Sequence, residues 1–360
     1  MIYKNLRFKN IHLQKHNMQF QKIIEYLKHL KLLSLKKKKK TCFLISTTKK
    51  NKLSYFITPF RESQKTVYCG VVVFNNATAK KIASCIDGQV DYVFVDIEKK
   101  ISHIDDKLVN IERSVKEAIN TSIIKNYKPN DITVNALENF IQDYFTADLT
   151  GVGRKKILIV GAGNIGSKIG LRLLESGGEV FMTRRDNKKL KNIVKTLNLL
   201  KPKATVARCH SIKSNKLMFE NYDVIIGCAD NTVKFKKIKN LNNKPLIIDV
   251  GKGVFSKSSI KDLNSQKISI FRLDIENALN ATIDSYIKTE NFFKNSYIKN
   301  IGKHNLIKKG ILGTKGDIVV DDVEKPKRVI GICGNDGLLQ DISFKKLKIL
   351  QKNITKNYKL

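Results

Sequence analysis

A glycine-rich turn between a buried strand and an amphipathic helix constrains this chain more than any other feature. The apolar run 155–160 leads into the turn 161–166, a helical pattern follows at 167–178, and a second strand pattern follows at 179–185. A strand, a turn, a helix and a strand in this order form a βαβ unit, whose strands lie parallel in one sheet.

The glycines of this turn are spaced as a dinucleotide-binding loop requires. Gly161 permits a tight turn, Gly163 lets the backbone approach a pyrophosphate, and Gly166 lets helix and strand pack closely. Asn164 and Ile165 open the helix, where free N–H groups and the helix dipole favour a negative charge. The turn predicts a dinucleotide site; the alternative is a glycine turn without a ligand.

The rest of the chain supplies enough strands and helices for an α/β protein of two main domains. Strand patterns recur after the glycine turn, and short strand runs also fill 41–97, where a helix is expected at 78–86. Helical patterns at 107–122 and 134–144 then lead to the glycine turn. We predict a Rossmann-type doubly wound parallel sheet plus a smaller N-terminal α/β domain. The predicted parts are a basic amphipathic extension (1–40), the N-terminal domain with a bridging helix (41–150), the Rossmann domain (151–274), and a C-terminal helix and hairpin that pack back on the N-terminal domain (275–360).

The end of the second strand indicates which dinucleotide binds. NAD sites place an acidic residue there for the ribose 2′-OH, whereas a 2′-phosphate favours Arg. Here the strand ends in Thr183, Arg184 and Arg185, with Lys188 following. This sequence favours NADP, and Asp186 leaves NAD as the alternative.

The net charge is strongly positive, with 68 Lys and Arg against 32 Asp and Glu, or +36. Most of the positive residues are Lys, whereas phosphate and base recognition tends to use the Arg fork. We therefore expect a solvated basic surface without a nucleic acid partner. An acidic small substrate, nucleic acid and membrane headgroups are the alternatives.

The first forty residues concentrate this charge, and Glu25 is the only acid among them. Ile23, Leu27 and Leu30 recur at helical spacing and predict a basic amphipathic helix. Such a segment either contacts a membrane surface or RNA, or forms a solvent-facing extension.

The cysteines and the absence of long apolar runs indicate a reducing, non-membrane environment. The six cysteines show no regular spacing, and neither a secretory signal nor a membrane-spanning run is recognisable. We expect a cytoplasmic protein with free thiols and no metal site.

Residues 130–255 resemble the shikimate/quinate dehydrogenases, whose nucleotide domain is shared with glutamyl-tRNA reductase and methylenetetrahydrofolate dehydrogenase. The resemblance rests on the glycine turn and its helix, and on 183–188, which is similar to the family's Asn-Arg-Thr-x-x-Lys stretch. The sequences at 222–231 and 245–253 are similar to the fourth and fifth strands of that domain. The resemblance implies NADP-dependent hydride exchange at a hydroxyl or ketone carbon.

The same resemblance implies a catalytic Lys and Asp that move a proton. The family's Asn-Val-Thr-x-Pro-x-Lys aligns with 94–100, which keeps Val95 and Lys100 but lacks the Asn, Thr and Pro. The family's Asn-Thr-Asp becomes Asn130-Asp131. A Lys beside a carboxylate in a cleft is a positioned proton carrier. The alternatives are a surface lysine and a helix-capping aspartate.

Three residues after the later strands are expected to border the nicotinamide. Cys228 and Gly251 follow the fourth and fifth strands as cofactor contacts, with Cys228 a packing residue rather than a reactive thiol. Lys252 is expected to hold an acidic substrate, unless it is a solvated loop lysine. Cys42 lacks the sequence context of the glutamyl-tRNA reductase nucleophile and is expected inside a strand.

Together these features predict an NADP-dependent oxidoreductase acting on a small hydroxy/oxo or amino/imino acid. The sequence leaves both a monomer and an oligomer open. The alternative is a non-catalytic dinucleotide-binding protein whose basic arm contacts RNA or a membrane.

Overall fold

The structure, a computed structural model, describes residues 21–48, 55–101, 108–213, 218–219, 221–233, 235, 244–294, 296–301 and 304–357. Residues 1–20 of the predicted basic extension lie outside the described residues. The chain divides into two compact units, Met1–Asp284 and Ser285–Leu360.

The first unit begins with a helix, α1 (21–37), and a five-stranded sheet of order β2-β3-β1-β4-β7. All neighbours pair in parallel except the edge strand β2, which is antiparallel to β3. The elements are β1 (Lys40–Thr47), β2 (Tyr55–Glu62), β3 (Thr66–Val73), α2 (Asn76–Ile86), β4 (Tyr92–Asp96), a small pair of β5 (Lys100–Ile101) and β6 (Leu108–Val109), α3 (Ile111–Lys116) and β7 (Ile123–Tyr127).

Helix α1 is part of the core of this sheet, which corrects its expected place as an extension. Its apolar stripe, Ile23, Leu27 and Leu30, is buried in one cluster with Phe43 and Val93 from the central strands. Because those side chains lose water by packing on the sheet, the apolar face of the described helix is already occupied.

The helix predicted for 107–122 is wrong in extent, because only Ile111–Lys116 is helical. The Asp87 carboxylate accepts hydrogen bonds from the backbone N–H groups of Asn120 (2.9 Å), Thr121 (2.9 Å) and Ser122 (2.9 Å). These bonds fix a turn, after which the chain enters β7 beside β4. A tertiary contact therefore overrides the local helical pattern.

The second sheet confirms the predicted fold class. Its six strands run parallel in the order β10-β9-β8-β11-β12-β13, which in chain order is third, second, first, fourth, fifth, sixth, as in a Rossmann fold. The elements are α4 (Pro129–Tyr144), β8 (Lys156–Val160), α5 (Asn164–Glu175), β9 (Glu179–Thr183), α6 (Asn187–Leu200), β10 (Cys209–Ser211), β11 (Val224–Gly227), β12 (Leu246–Asp249), α7 (Lys257–Ser265) and β13 (Ile270–Arg272).

Helix α4 links the two sheets, as the sequence predicted for a bridging helix. Val134, Leu137 and Ile141 are buried with Ile159 of β8 and Leu173 of α5. On the polar side, Arg172 of α5 donates to Asn135 (2.7 Å) and Glu138 (2.5 Å) of α4. The chain therefore leaves the first sheet after Tyr127, and α4 packs on the glycine-turn helix α5.

The following helix, α8 (Glu276–Lys294), is fastened to the first sheet along its first half. The buried Asp284 carboxylate accepts from the Ser63 hydroxyl (2.6 Å), and the Tyr68 hydroxyl donates to Asn280 (2.6 Å). These contacts lie within the first unit.

The second unit contains a four-stranded sheet of order β14-β15-β16-β17 and a final helix. The two strands predicted around 324–327 form an antiparallel pair. Leu306, Val320 and Ile354 form the centre of its core. The elements are β14 (Ile298–Ile301), β15 (His304–Lys308), β16 (Ile318–Val320), β17 (Val329–Ile332) and α9 (Phe344–Asn357).

Within the described residues, no helix is both long and apolar enough to cross a membrane. In the same residues, no group of three or more His, Cys, Asp or Glu side chains is arranged to hold a metal.

Candidate active site

The predicted cofactor residues emerge along one edge of the second sheet. Strand pairing aligns Val160 with Thr183 and with Gly227, and Gly227 with Asp249. The glycine turn, the basic stretch after β9 and the loops after β11 and β12 therefore all leave from the same row. Ligands of open α/β sheets bind at this carboxyl edge, where the strand order reverses between β8 and β11.

The three glycines of the turn serve different purposes. Gly161 has φ +108°, and a Cβ there would lie 2.7 Å from the Ala229 nitrogen. A Cβ on Gly166 would lie 2.1 Å from the Gly161 carbonyl oxygen. Gly163 has an ordinary φ of −93° and open space where its Cβ would be. Close packing therefore requires glycine at 161 and 166. At 163 the packing of the described residues would allow a side chain.

The helix that follows the turn begins without a side-chain cap. Gly163 is its N-cap and offers no side chain, so the first-turn N–H groups at Asn164 and Ile165 receive no capping oxygen. The backbone hydrogen bonds of the helix begin with the Ser167 N–H, which donates to the Gly163 carbonyl (2.9 Å). The uncapped N–H groups and the helix dipole form a site suited to a phosphate group.

The end of β9 holds the glycine turn through its backbone. The Thr183 carbonyl accepts from the N–H groups of Gly161 (3.1 Å) and Ala162 (2.9 Å). The Arg184 guanidinium donates to the Ala162 carbonyl. The Thr183 hydroxyl is buried and has no hydrogen-bond partner among the described residues.

The charged residues just beyond β9 separate into two groups. Asp186 is the N-cap of α6 and accepts from the Lys189 N–H (3.0 Å), so its carboxylate serves its own helix. Arg185 and Lys188 are exposed at the start of the same helix. This arrangement favours 2′-phosphate recognition over a ribose contact from Asp186.

The loops after β11 and β12 are held closely together. A Cβ on Gly251 would lie 2.2 Å from the Ala229 carbonyl oxygen, so this glycine permits close loop packing. Asp249 accepts from the Gly253 N–H (2.7 Å), and Lys252 between them is exposed with φ +59°.

Cys228 and Cys42 are not arranged as nucleophiles. Burial, with a smaller contribution from Asp249, raises the pKa of the Cys228 thiol to about 12. Burial, followed by Cys69 and Asp91, also raises the pKa of the fully buried Cys42. Both thiols stay protonated near neutral pH.

The two residues of the predicted catalytic pair, Lys100 and Asp131, bond to different partners. The Lys100 ammonium donates to the Thr47 carbonyl (2.5 Å) and to the Asp96 carboxylate (3.1 Å). Asp131, in the first turn of α4, forms an ion pair with Lys168 of α5. Lys128, rather than Asn130 or Asp131, is the N-cap of α4.

Glu98 lies between these two ion pairs and was missed by sequence reasoning. Its carboxylate accepts from the Asn130 N–H (3.2 Å), at the start of α4. Burial, followed by Asp96, raises the pKa of this carboxyl, although Lys100, the Asn130 N–H and Lys168 act to lower it. In the sequence Glu98 stands in a charged turn, and no local pattern indicates its burial.

Comparison with known proteins agrees with this description of the second sheet. Residues 156–253 match the family described as "NADP oxidoreductase coenzyme F420-dependent". The match spans β8 to the loop after β12 and confirms the predicted NADP-binding oxidoreductase domain. No curated protein is significantly similar to this chain.

Solved structures with similar folds are distant in sequence. Dipicolinate synthase A chain from Bacillus subtilis is 11% identical, with 70% of this chain and 79% of that chain covered and a TM-score of 0.34. L-Tryptophan dehydrogenase from Nostoc punctiforme is 13% identical, with coverages of 71% and 77% and a TM-score of 0.39. CAD from Helicobacter pylori, complexed with NADP(H), is 16% identical, with coverages of 47% and 46% and a TM-score of 0.27.

Proposed function

We propose that this protein is an NADP-dependent oxidoreductase of the shikimate-dehydrogenase-like kind, acting on a small hydroxy/oxo or amino/imino acid. The observation that carries the proposal is the open space at Gly163 beside an uncapped helix N-terminus. No described residue outside the turn occupies that space, and a backbone approach by a pyrophosphate accounts for it.

The residues present fit NADP. Gly163, Asn164 and Ile165 would face the pyrophosphate, and Arg185 and Lys188 would meet the 2′-phosphate. Arg184 serves the site by holding the Ala162 carbonyl of the turn. Cys228 and Gly251 line the loops at the same edge as packing residues rather than as donors.

Bound NADP supplies the chemistry by exchanging a hydride with a substrate carbon. The protein must then hold the substrate oxygen or nitrogen and exchange its proton. Lys100 is the proposed positively charged group at that atom, since Asp96 and the Thr47 carbonyl fix its ammonium. Asp131 acts indirectly by pairing with Lys168, and the exposed Lys252 is available to an acidic substrate group.

The experiment that tests this function is fluorescence titration of the whole protein with NADPH and with NADH. We expect NADPH to bind in the micromolar range and more tightly than NADH. A protein that binds neither at about 1 mM, the upper end of ordinary cofactor and substrate affinities, would contradict the proposal. Tight NADPH binding without reduction of any oxo or imino acid would favour the non-catalytic alternative.

A further inference from the structure

Glu98 stands where the first sheet meets the glycine-turn helix. Asp96, the last residue of β4, is aligned with Tyr127, the last residue of β7, so the turn after Asp96 leaves from the carboxyl edge of the first sheet. The Glu98 N–H donates to Asp96 (2.8 Å), which holds the turn in place. The Glu98 carboxylate thereby reaches the start of α4 and the charge of Lys168 on α5.

One oxygen of this carboxylate is left unmatched. Oε1 accepts from the Asn130 N–H, whereas Oε2 is buried and has no hydrogen-bond partner among the described residues. A buried carboxylate oxygen without a donor is costly, and the cost falls when the group takes up a proton or meets a ligand donor.

The neighbouring carboxylates, Asp96 and Asp131, are each ion-paired with a lysine. The Asp96 carboxylate accepts from Lys100, from the Thr47 N–H (3.1 Å) and from the Glu98 N–H. Asp131 is paired with Lys168. Among the described residues, Glu98 is therefore the carboxyl group of this cluster with a buried oxygen that has no hydrogen-bond partner.

The titratable groups that face Glu98 come from four elements around it. They are Asp96 at the end of β4, Lys100 in β5, Lys168 in α5 and the Tyr127 hydroxyl at the end of β7. Burial raises the pKa of the Tyr127 hydroxyl, so Tyr127 stays neutral throughout the range in which Glu98 titrates. Asp96 is ion-paired with Lys100, and Lys168 with Asp131, and these groups set the field at Glu98.

We propose that Glu98 is the residue that exchanges a proton with the substrate, with Lys100 as a fixed cation beside it. This inference rests on the proposed function. In the oxidation direction the substrate O–H or N–H bond breaks and its proton passes to the Glu98 carboxylate. The adjacent C–H bond breaks at the same time, its hydride leaves to the oxidised nicotinamide, and a C=O or C=N bond forms. Reduction reverses each transfer, so atoms and electrons balance in both directions.

The raised pKa of Glu98 gives this role a defined dependence on pH. Below that pKa the carboxyl is protonated and serves reduction, and above it the carboxylate accepts a proton and serves oxidation. Oxidation should therefore become faster, and reduction slower, as the pH rises through the pKa of Glu98.

The test compares wild type with Glu98→Gln and with the control Glu117→Gln. Glu117 is an exposed glutamate paired with Lys80 and Arg113, away from the site. Carbon-13 NMR of carboxyl-labelled glutamate gives the titration midpoint of Glu98, because its signal is the one missing from Glu98→Gln. We expect this midpoint to lie above that of Glu117, whose pKa is lowered by its ion pairs.

Activity supplies the second measurement, with glyoxylate, pyruvate and 2-oxoglutarate as probes and NADPH as reductant. For each acid that wild type reduces, Glu98→Gln should lose about a hundredfold or more in kcat. The variant should lose the pH step, and its NADPH affinity should stay within twofold. Glu117→Gln should match wild type in all three.

Two outcomes would overturn the role of Glu98: a midpoint no higher than that of Glu117, or wild-type turnover by Glu98→Gln. The titration midpoint of Glu98 tests the proposed role even if the protein reduces none of the three acids. Wild-type protein that fails to bind NADPH would instead contradict the proposed function, so the two failures are distinguishable.

Discussion

Gly163 and Gly166 differ in what a single methyl group would meet. At Gly166 the added Cβ would lie 2.1 Å from a backbone carbonyl oxygen, whereas at Gly163 it would meet no described atom within 4 Å apart from its chain neighbours. We therefore expect Gly166→Ala to lower the free energy of unfolding by about 1–3 kcal/mol, the usual cost of overpacking. Gly163→Ala should change it by no more than about 0.5 kcal/mol.

Binding should separate the same two variants in a different way. Gly163→Ala should weaken NADPH binding by about tenfold, or ~1.4 kcal/mol, since its methyl group enters the space proposed for the pyrophosphate. Denaturant unfolding and fluorescence titration measure the two effects. A folded Gly163→Ala protein with wild-type affinity would show that the open space serves no ligand.

The sequence predicts those site residues whose structural partners are close to them along the chain. The glycine turn could be recognised because three glycines, a strand and a helix are contiguous. Glu98 could not, because its environment comes from Asn130 and Lys168, which only the folded chain brings near. The contacts of Lys100 with Asp96 and of Asp131 with Lys168 likewise appear only in the folded chain.

At the scale of elements, α1 tests whether the basic N-terminal segment is an extension or part of the core. Leu30 is 0% exposed and lies in the cluster of the first sheet, whereas Leu32 on the same helix is 64% exposed. Leu30→Ala should therefore destabilise the protein by about 2–5 kcal/mol through lost burial and a cavity. Leu32→Ala, the same chemical change, should cost about 0.5 kcal/mol or less.

Chemical denaturation of both variants measures this difference. Equal and small effects would mean that the helix does not stabilise the sheet. The heptad-like apolar spacing predicted an amphipathic helix correctly, but the pattern alone cannot name the surface that covers it. An apolar helix face can be covered equally by a membrane, by a partner or by the chain's own sheet.

The junction between β9 and α6 tests the choice of cofactor. Arg185 and Lys188 are exposed there, whereas Asp186 caps α6. Replacing both Arg185 and Lys188 by Ala should weaken NADPH binding by about ten- to a hundredfold and leave NADH binding within twofold, because only NADPH carries the 2′-phosphate.

Lys189→Ala is the matched control at this junction, since Lys189 is also an exposed cation but lies against Asp186 at 3.9 Å. It should alter neither affinity by more than about twofold. Parallel titrations of the three proteins with both dinucleotides make the measurement. An equal loss of NADPH and NADH affinity in the double variant would place these side chains elsewhere than at the 2′-phosphate.

Across the whole molecule, the parallel Rossmann-type sheet was predictable and the strand β7 was not. Alternating strands and helices dictate a parallel sheet with right-handed crossovers, and local sequence carries that alternation. The helix predicted for 107–122 ends before β7, and the chain enters this strand after the turn that Asp87 fixes. Such contacts are absent from a sequence pattern and arise only when distant segments pack.

The net charge of +36 leads to a prediction about the stability of the whole chain. Most ion pairs in the described part of the chain involve exposed side chains, so they offset little of the repulsion among the lysines. Salt shortens the reach of that repulsion to about 8 Å at 0.15 M. The melting temperature should therefore rise by a few degrees, about 1 kcal/mol, as NaCl increases from ~20 to ~300 mM.

The affinity for NADPH should fall over the same range, because we propose that its 2′-phosphate meets Arg185 and Lys188, which are exposed. Screening thus stabilises the fold while weakening its proposed ligand, and the two effects have opposite signs. Thermal unfolding and NADPH titration at matched NaCl and KCl concentrations measure both, and equal effects of the two salts identify screening rather than ion binding. A melting temperature that falls with salt would mean that attraction between charges outweighs repulsion, and the lysines would then be organised into stabilising pairs rather than spread as a background.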